Sequence, residues 1–413
     1  MNARLVPLLA ILLFLASCGS PQSAEPAPSA RARPSPSARP SSGPRNSPSP
    51  TATPQPPPPT SAVTPTPNLV PGSNPSALPG PVLIADHLNN RLLIVDPAGD
   101  IIWQFPQSGD LAAGQTFWVP DDAFFTPDGK YIVATQEDDF VISLIDIATR
   151  RIVWQYGTPG RPGSGPNQLW NPDDAIMMPN GDVILADIKN CRILVLQPPA
   201  ASPLQVLGET RNDCQHAPPA RWGSPNGAFP MTDGHYLITE INGSWVDEVG
   251  LDGQVYWSTH PPGESYPSDT NEVSPGVFLS TSYTDPGVIE EFDQTGTLRW
   301  RYQPPAGNPP LNKPSLALPL PNGDILANDD FNHRVIVIDP RTNQIVWQYG
   351  HTGVAGSAPG YLNDPDGVDL APPYSLARSH APSMGVAAGS GGGLPGGLYG
   401  PGALVQPPPG WRP

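Results

Sequence analysis

Charged residues and cysteine are scarce in this sequence. Only 14% of its 413 residues are charged and three are cysteine, whereas 61 are proline and 41 are glycine. Proline and glycine disfavour helix interiors, so their abundance argues against a helical bundle or a coiled coil. Three cysteines in so long a chain exclude a disulfide-dense mini-scaffold. After the amino-terminal segment, no apolar run is long enough to span a bilayer as a helix.

Positive charge is scarce in most of the chain. The formal net charge is −16, but residues 1–80 carry five Arg and one acid, which leaves −20 on residues 81–413. A body this acidic repels nucleic acid and anionic membrane surfaces. We therefore expect no nucleic-acid partner.

The amino terminus predicts export. Arg4 precedes an apolar run over residues 8–15, followed by Leu15-Ala16-Ser17-Cys18. This arrangement is typical of a signal peptide, here residues 1–18. The tetrapeptide resembles the lipobox of bacterial lipoproteins, and the resemblance implies cleavage before Cys18 and acylation of its sulfur by palmitate or a similar chain. Several acyl chains would anchor the protein to a membrane at the cell surface or in the periplasm. The alternative is an ordinary signal peptide with an incidental cysteine.

Two segments flank the body and lack the residues of a core. Residues 19–80 contain 19 Pro among 62 residues, with Ser, Thr and Ala, and predict a disordered linker. Residues 372–413 are rich in Gly and Pro, and predict a disordered tail.

A repeat organises residues 81–371. A proline followed by a small polar or acidic residue and an apolar run recurs at Pro120, Pro172, Pro225, Pro267, Pro314 and Pro365. Tight-turn pairs follow most of these, at Asp128-Gly129, Asn180-Gly181, Asp233-Gly234 and Asn322-Gly323. Such pairs are typical of two-residue hairpins between apolar strands. The period of 42 to 53 residues, with four strands in each unit, predicts the blades of an all-β propeller.

The two ends of the repeat complete each other. Residues 81–105 supply three strands without a first strand, and residues 364–370 supply a first strand with nothing after it. Joining them predicts six blades, with the carboxy-terminal strand closing the ring in the first blade and removing its open sheet edges.

The repeat resembles two groups of propellers. Residues 360–368 resemble the opening of an NHL repeat, and the pattern Asp-x-x-Asn-x-Arg, typical of its second half, occurs at residues 86–91, 187–192 and 329–334. The strand endings around Trp154 and Trp347 are similar to those of pyrroloquinoline-quinone-type and arylsulfotransferase propellers. In Asp-x-x-Asn-x-Arg, Asp and Asn can cap a turn while Arg pairs with Asp, which indicates a scaffold role.

Aromatic and apolar residues at recurring positions indicate packing between blades. The outer strands carry Trp103, Trp154, Trp257, Trp300 and Trp347, and an apolar residue stands three places before most anchor prolines. Trp118 and Trp170 fall outside both rules. They are candidate ligand-binding residues.

Strand direction places three kinds of candidate residue on one face. Acidic residues begin the inner strands, at Asp121, Asp122, Asp173, Asp174, Asp269 and Asp366. A ring of oxygens around the channel suits calcium, although these residues could instead only cap the strands.

His87, His333 and His351 come from neighbouring loops and could bind zinc or a ligand, or could simply be solvated, as could His216 and His260. Cys191 and Cys214 are predicted to form a disulfide, with two free thiols as the alternative.

No nucleophile–base pair or complete metal signature is visible. The sequence therefore favours a binding platform for a surface protein, a polysaccharide or a small ligand, with membrane contact through Cys18. The alternative is an arylsulfotransferase-like or lactonase-like enzyme with its site at the channel mouth. Val119 and Asn171 stand where arylsulfotransferase-like propellers tend to have His, which counts against that chemistry. Whether the protein is an enzyme stays open.

Removing the acylated sulfur tests the anchor. In cells that process lipoproteins, the Cys18→Ala variant should move from the membrane fraction to the soluble fraction, because no other membrane element is predicted. Fractionation and immunoblotting measure this. A variant that stays with washed membranes would contradict the prediction.

Overall fold

The structure, a computed structural model, describes residues 68–210 and 213–379. The predicted signal peptide with Cys18, most of the linker and most of the tail lie outside the described residues. The described chain forms six antiparallel sheets of four strands each, which we call blades 1 to 6. This is the predicted six-bladed all-β propeller.

The strands follow the chain blade by blade. Blade 1 begins with β1 (Val82–Asp86), β2 (Arg91–Val95) and β3 (Ile101–Phe105). Blade 2 contains β4 (Ala123–Phe125), β5 (Tyr131–Gln136), β6 (Val141–Asp146) and β7 (Arg151–Gly157). Blade 3 contains β8 (Pro172–Met177), β9 (Val183–Asp187), β10 (Arg192–Leu196) and β11 (Pro203–Leu207). Blade 4 contains β12 (Pro225–Pro230), β13 (Tyr236–Glu240), β14 (Trp245–Val249) and β15 (Val255–Thr259). Blade 5 contains β16 (Pro267–Ser274), β17 (Val277–Ser282), β18 (Val288–Asp293) and β19 (Leu298–Arg301). Blade 6 contains β20 (Ala317–Pro319), β21 (Ile325–Asp329), β22 (Arg334–Asp339) and β23 (Gln344–Gly350).

The last strand, β24 (Pro365–Leu370), completes blade 1. It pairs antiparallel with β1, with Val82 opposite Leu370 and Ile84 opposite Val368, so the sheet order is β24-β1-β2-β3. The predicted closure of the ring is confirmed. The first and last strands of the propeller thus lie in one sheet and pair with each other, so the inner edge of β1 is not left open.

The hairpins between first and second strands use a longer turn than predicted. At Asn180-Gly181 only the glycine has a positive φ, of 87°, and its N–H donates to Met178 O while Met178 N–H donates to Asp182 O. This is a type I turn followed by a glycine in the left-handed region, rather than a two-residue loop. Gly129, Gly234 and Gly323 make the same N–H contact to the residue three places before them.

Outer-strand tryptophans join neighbouring blades. The indole Nε1 of Trp103 donates to Ile147 O at 3.0 Å, and that of Trp347 donates to Pro97 O at 2.9 Å. Trp300 does the same to Pro340 O. Each acceptor follows the third strand of the next blade, so these rings fix the angle between blades. The apolar residues three places before the anchor prolines are buried, namely Phe117, Leu169, Trp222, Leu311 and Leu362.

Residues on both sides of the predicted body also pack on it. Leu69 bridges to Tyr349, and Asn74 N–H donates to Val346 O at 2.7 Å. Residues 68–80 therefore lie along β23, and Ala77 and Leu78 are buried, so the ordered part of the chain begins before residue 81. At the other end a four-residue helix, α1 (Leu376–Ser379), buries Leu376 and Ala377. In the described part of the chain, no helix has the length and apolar character needed to cross a membrane.

Shortening the chain tests the closure. Ending it before Pro365 removes the inner strand of blade 1 together with buried Val368 and Leu370, which should lower the melting temperature by about 10 °C or more. Ending it after Ser379 keeps α1 and should leave the melting temperature unchanged. Thermal melts by circular dichroism compare the two, and equal melting temperatures would contradict the topology.

Candidate cation site at the channel mouth

Six side chains with oxygen atoms form the first layer of the channel. Each is the residue directly after an anchor proline, so the repeat brings one from every blade to the same depth. They line one pocket and are Asp121, Asp173, Asn226, Ser268, Ser315 and Asp366. Five are buried and Asp366 is half-buried.

The next residue of each inner strand forms a second, deeper layer. Here blades 2, 3 and 5 contribute Asp122, Asp174 and Asp269, whose carboxylate oxygens lie within 4.8 Å of one another. Blade 4 contributes Gly227, where an added Cβ would stand 2.6 Å from Asp174 Oδ2. Blade 1 contributes Gly367, where a Cβ would stand 2.6 Å from Asp122 Oδ1. The two glycines therefore leave the space that the three carboxylates occupy.

The deep carboxylates have oxygen atoms with no hydrogen-bond partner. Both oxygens of Asp174 lack one, as do Oδ1 of Asp122 and Oδ1 of Asp269, and all three residues are at most 3% exposed. Among the described residues, none of the three forms an ion pair with Lys or Arg. A buried carboxylate without a counter-charge is costly, so such a cluster needs protons or a cation.

This environment raises the pKa values of the three deep aspartates. Burial, and then the neighbouring carboxylates, raise the pKa of Asp122 and Asp174 well above the usual range. Burial raises the pKa of Asp269 to about 7. Without a cation, the cluster therefore holds protons at neutral pH that the unfolded chain would release.

Of the three predicted loop histidines, one reaches the pocket. His87 Nδ1 lies 3.4 Å from Asp121 Oδ1 and 3.7 Å from Asp366 Oδ2. His333 Nδ1 instead accepts the Asp364 N–H, and His351 packs on Tyr361. Within the described residues, no group of three potential metal ligands contains more than one of these histidines. The structure does not assemble a zinc site from His87, His333 and His351.

Aromatic residues contact the pocket lining or residues next to it. Trp118 is 62% exposed and Trp170 is 44% exposed. Trp170 O accepts the Lys189 N–H, and Lys189 lines the pocket. Trp118 N–H donates to Gln136, next to pocket residue Glu137. We call Trp118, Trp170, Tyr266 and Phe331 the aromatic rim.

Several pocket residues were not predicted from the sequence. Tyr266 and Tyr283 line the pocket with ring centroids 5.7 Å apart, and Lys313 Nζ lies 4.2 Å from the Phe331 ring centroid. Glu137 comes from the turn after β5, and burial raises its pKa to about 7. The equivalent positions of the other blades hold residues of different chemistry, such as His87, Ile188 and Ile241 in place of Glu137 and Tyr283, so the repeat could not reveal their role.

The Asp-x-x-Asn-x-Arg turns support the site from outside. In blade 3, Arg192 Nε donates to Asp187 Oδ2 at 2.7 Å, and Asn190 Nδ2 donates to the same atom at 2.9 Å. The other oxygen, Asp187 Oδ1, accepts the Trp170 N–H at 2.7 Å. Blades 1 and 6 repeat these contacts around Asp86 and Asp329. The motif ties each turn to the loop that leads into the same blade, as the scaffold interpretation expects.

The predicted disulfide is present. Cys191 and Cys214 are bonded, with their Cα atoms 5.0 Å apart. The bond ties the turn between β9 and β10 to the loop that leads into blade 4.

Comparison with known proteins gives similarity in fold only. No family model and no curated protein matches the chain. A protein of unknown function from Bacteroides caccae is 16% identical over 70% of this chain and 98% of its own, with a TM-score of 0.49. A streptogramin B lyase is 16% identical over 71% of this chain and 87% of its own, with a TM-score of 0.48. Virginiamycin B lyase from Staphylococcus aureus is 15% identical over 64% of this chain and 83% of its own, with a TM-score of 0.44. These likenesses carry no argument about activity, and the six-bladed fold rests on the sheet topology above.

Proposed function

We propose that this protein is an exported, lipid-anchored recognition module that binds calcium at the channel mouth and a polysaccharide on the aromatic rim. The observation that carries the proposal is the deep layer of Asp122, Asp174 and Asp269, with four buried carboxylate oxygens that have no hydrogen-bond partner.

The ligand atoms favour calcium over softer metals. The deep layer offers only carboxylate oxygens, and the first layer adds carboxylate, amide and hydroxyl oxygens above it. Calcium takes six to eight oxygen ligands in flexible geometry, whereas zinc prefers fewer ligands with nitrogen or sulfur among them. A calcium ion would also offset the burial and the mutual repulsion of the carboxylates.

The aromatic rim supports binding of a polar ligand. Exposed aromatic side chains are enriched at recognition surfaces, where they give contact area at low cost in conformational entropy. A polysaccharide offers apolar ring faces to Trp118 and Trp170, and hydroxyl groups to the polar first layer or to a bound cation. The linker predicted over residues 19–80 would hold the propeller at a distance from the membrane.

Calcium should stabilise the protein through the deep layer. At concentrations about 100-fold above its dissociation constant, calcium should raise the melting temperature by roughly 5 °C or more. Because rising pH removes the protons held by the metal-free cluster, the metal-free protein should lose stability as pH rises through about 7, and the calcium shift should be larger at pH 8 than at pH 5.5. Differential scanning calorimetry measures both effects.

Two variants make this test specific. Asp174→Asn should abolish the calcium shift, and should raise the melting temperature of the metal-free protein at pH 8, because it removes a buried carboxyl group that the folded state must keep protonated. Asp233→Asn changes an exposed carboxylate in the hairpin between β12 and β13, and should retain the full shift. A calcium shift that survives Asp174→Asn would contradict the site.

The rim is tested by ligand binding. The Trp118→Ala, Trp170→Ala double variant should bind envelope polysaccharides at least about tenfold more weakly than the parent on a glycan array, with an unchanged calcium shift. The matched control is Leu204→Ala, an exposed apolar side chain on an outer strand. Equal binding by parent and double variant would contradict the role of the rim.

The second candidate function is an enzyme of arylsulfotransferase-like or lactonase-like type. It is favoured by Glu137, whose pKa of about 7 suits a general acid or base in the pocket. Turnover of aryl sulfates or lactones by the parent, lost in Glu137→Gln, would support this function instead of simple binding.

A further inference from the structure

Blade 4 departs from the turn motif at two coupled positions. In blades 1, 3 and 6 an aspartate at the end of the second strand lies opposite an arginine that begins the third strand. In blade 4 the same register positions hold Glu240 and Trp245. Glu240 keeps the backbone contact of the motif, since its Oε2 accepts the Gly223 N–H. Its guanidinium partner, however, is replaced by an indole.

A second acid follows where other blades have an aliphatic side chain. Asp247 stands two residues after Trp245, at the position of Leu93, Leu194 and Ile336 in the motif-bearing blades. It is fully buried. Ser258 Oγ donates to its Oδ1, while its Oδ2 accepts no hydrogen bond from an N–H or hydroxyl group of the described residues. Burial, and then a hydrogen bond shared with Asp247, raise the pKa of Glu240 to about 10.

The loop leading into blade 4 adds an imidazole to these two acids. His216 Nδ1 lies 3.0 Å from Glu240 Oε1 and 3.8 Å from Asp247 Oδ2. The loop is fixed by the disulfide at Cys214 and by Asn242 Nδ2, which donates to Cys214 O at 2.7 Å. His216 is thus held over the acid pair by contacts that do not involve the pair.

Trp245 packs against the ring of His216. Its ring centroid lies 4.1 Å from that of His216 and 3.7 Å from that of His260, so the indole stands between two imidazoles. The His216 ring is therefore oriented by stacking as well as by its loop. The side chain of His216 stays 19% exposed, which gives solvent and ions access to the cluster.

We propose that His216, Glu240 and Asp247 form a second metal site, which binds a divalent ion of the zinc class. Each residue offers one ligand atom, and these three atoms lie within 4.8 Å of one another. One imidazole nitrogen with two carboxylate oxygens is a ligand set that zinc accepts, and the nitrogen favours zinc over calcium. Three protein ligands leave a coordination position open to water or to a small anionic ligand. The site is separate from the deep layer of carboxylate oxygens in the channel.

A similar cluster on the other face lacks the decisive feature. His235 Nδ1 lies 2.6 Å from Glu248 Oε1 and 3.2 Å from Asp233 Oδ2. Both oxygens of Glu248 are bonded there, Oε2 by Trp257 Nε1, and Asp233 is exposed. This cluster has no unpartnered buried carboxylate oxygen, so it serves as the matched control.

Zinc titration of the chelator-stripped, oxidised full chain tests the proposal. Isothermal titration calorimetry with zinc, followed by elemental analysis after gel filtration, should find one zinc ion that calcium does not displace. His216→Ala and Asp247→Asn should each weaken zinc binding by at least about tenfold. His235→Ala should leave it unchanged. Reduction of the disulfide should also weaken binding, because it frees the loop that carries His216.

The outcomes separate this site from the channel site. His216→Ala should retain the calcium-induced rise in melting temperature, which also shows that the variant is folded. Zinc binding lost in His235→Ala but kept in His216→Ala would overturn the proposal, as would a parent protein that retains no zinc. Cobalt in place of zinc should give a visible absorption spectrum that changes in His216→Ala; an identical spectrum in both proteins would also overturn it.

Discussion

The pairing of β24 with β1 is the contact on which the rest of the molecule depends. It joins residues 365–370 to residues 82–86 and turns a row of five complete sheets and one incomplete sheet into a ring. Only a ring brings the inner strands of all six blades to one axis. The two layers of oxygen-bearing side chains at the mouth are thus a product of closure, since Asp366 and Gly367 come from the closing strand itself.

Within that ring, differences between blades create the sites. The motif of Asp, Asn and Arg satisfies its own charges in blades 1, 3 and 6, and there it has a structural role. In blade 4 the acid is retained while its arginine is replaced, and a second acid is added beneath it. At the channel, blades 2, 3 and 5 retain an acid where blades 1 and 4 have glycine. In both places, buried acids without a positively charged partner occur where individual blades depart from the repeated pattern.

The fold and the acidic layers could be predicted because they follow the period of the chain. The anchor prolines set the register of every inner strand, so the residues after them must meet around the channel. Side-chain direction in loops, by contrast, does not follow from sequence spacing. His87, His333 and His351 come from neighbouring loops, yet His351 packs on Tyr361 and His333 accepts a backbone N–H. The role of His216 likewise depends on the path of the loop through Cys214. The packing of Leu69, Ala77 and Leu78 on the body was not predicted either, because these residues lie in a Pro-rich segment.

The segment over residues 68–80 has a mechanical consequence. It enters the propeller along β23, the outermost strand of blade 6, before the chain reaches β1. A pulling force on the amino-terminal side of residue 68 therefore acts first on the Leu69 bridge and on the backbone bonds near Val346, and these can detach without opening a blade. Tension applied there would thus act on contacts at the outside of the ring before it reaches β1 and its pairing with β24.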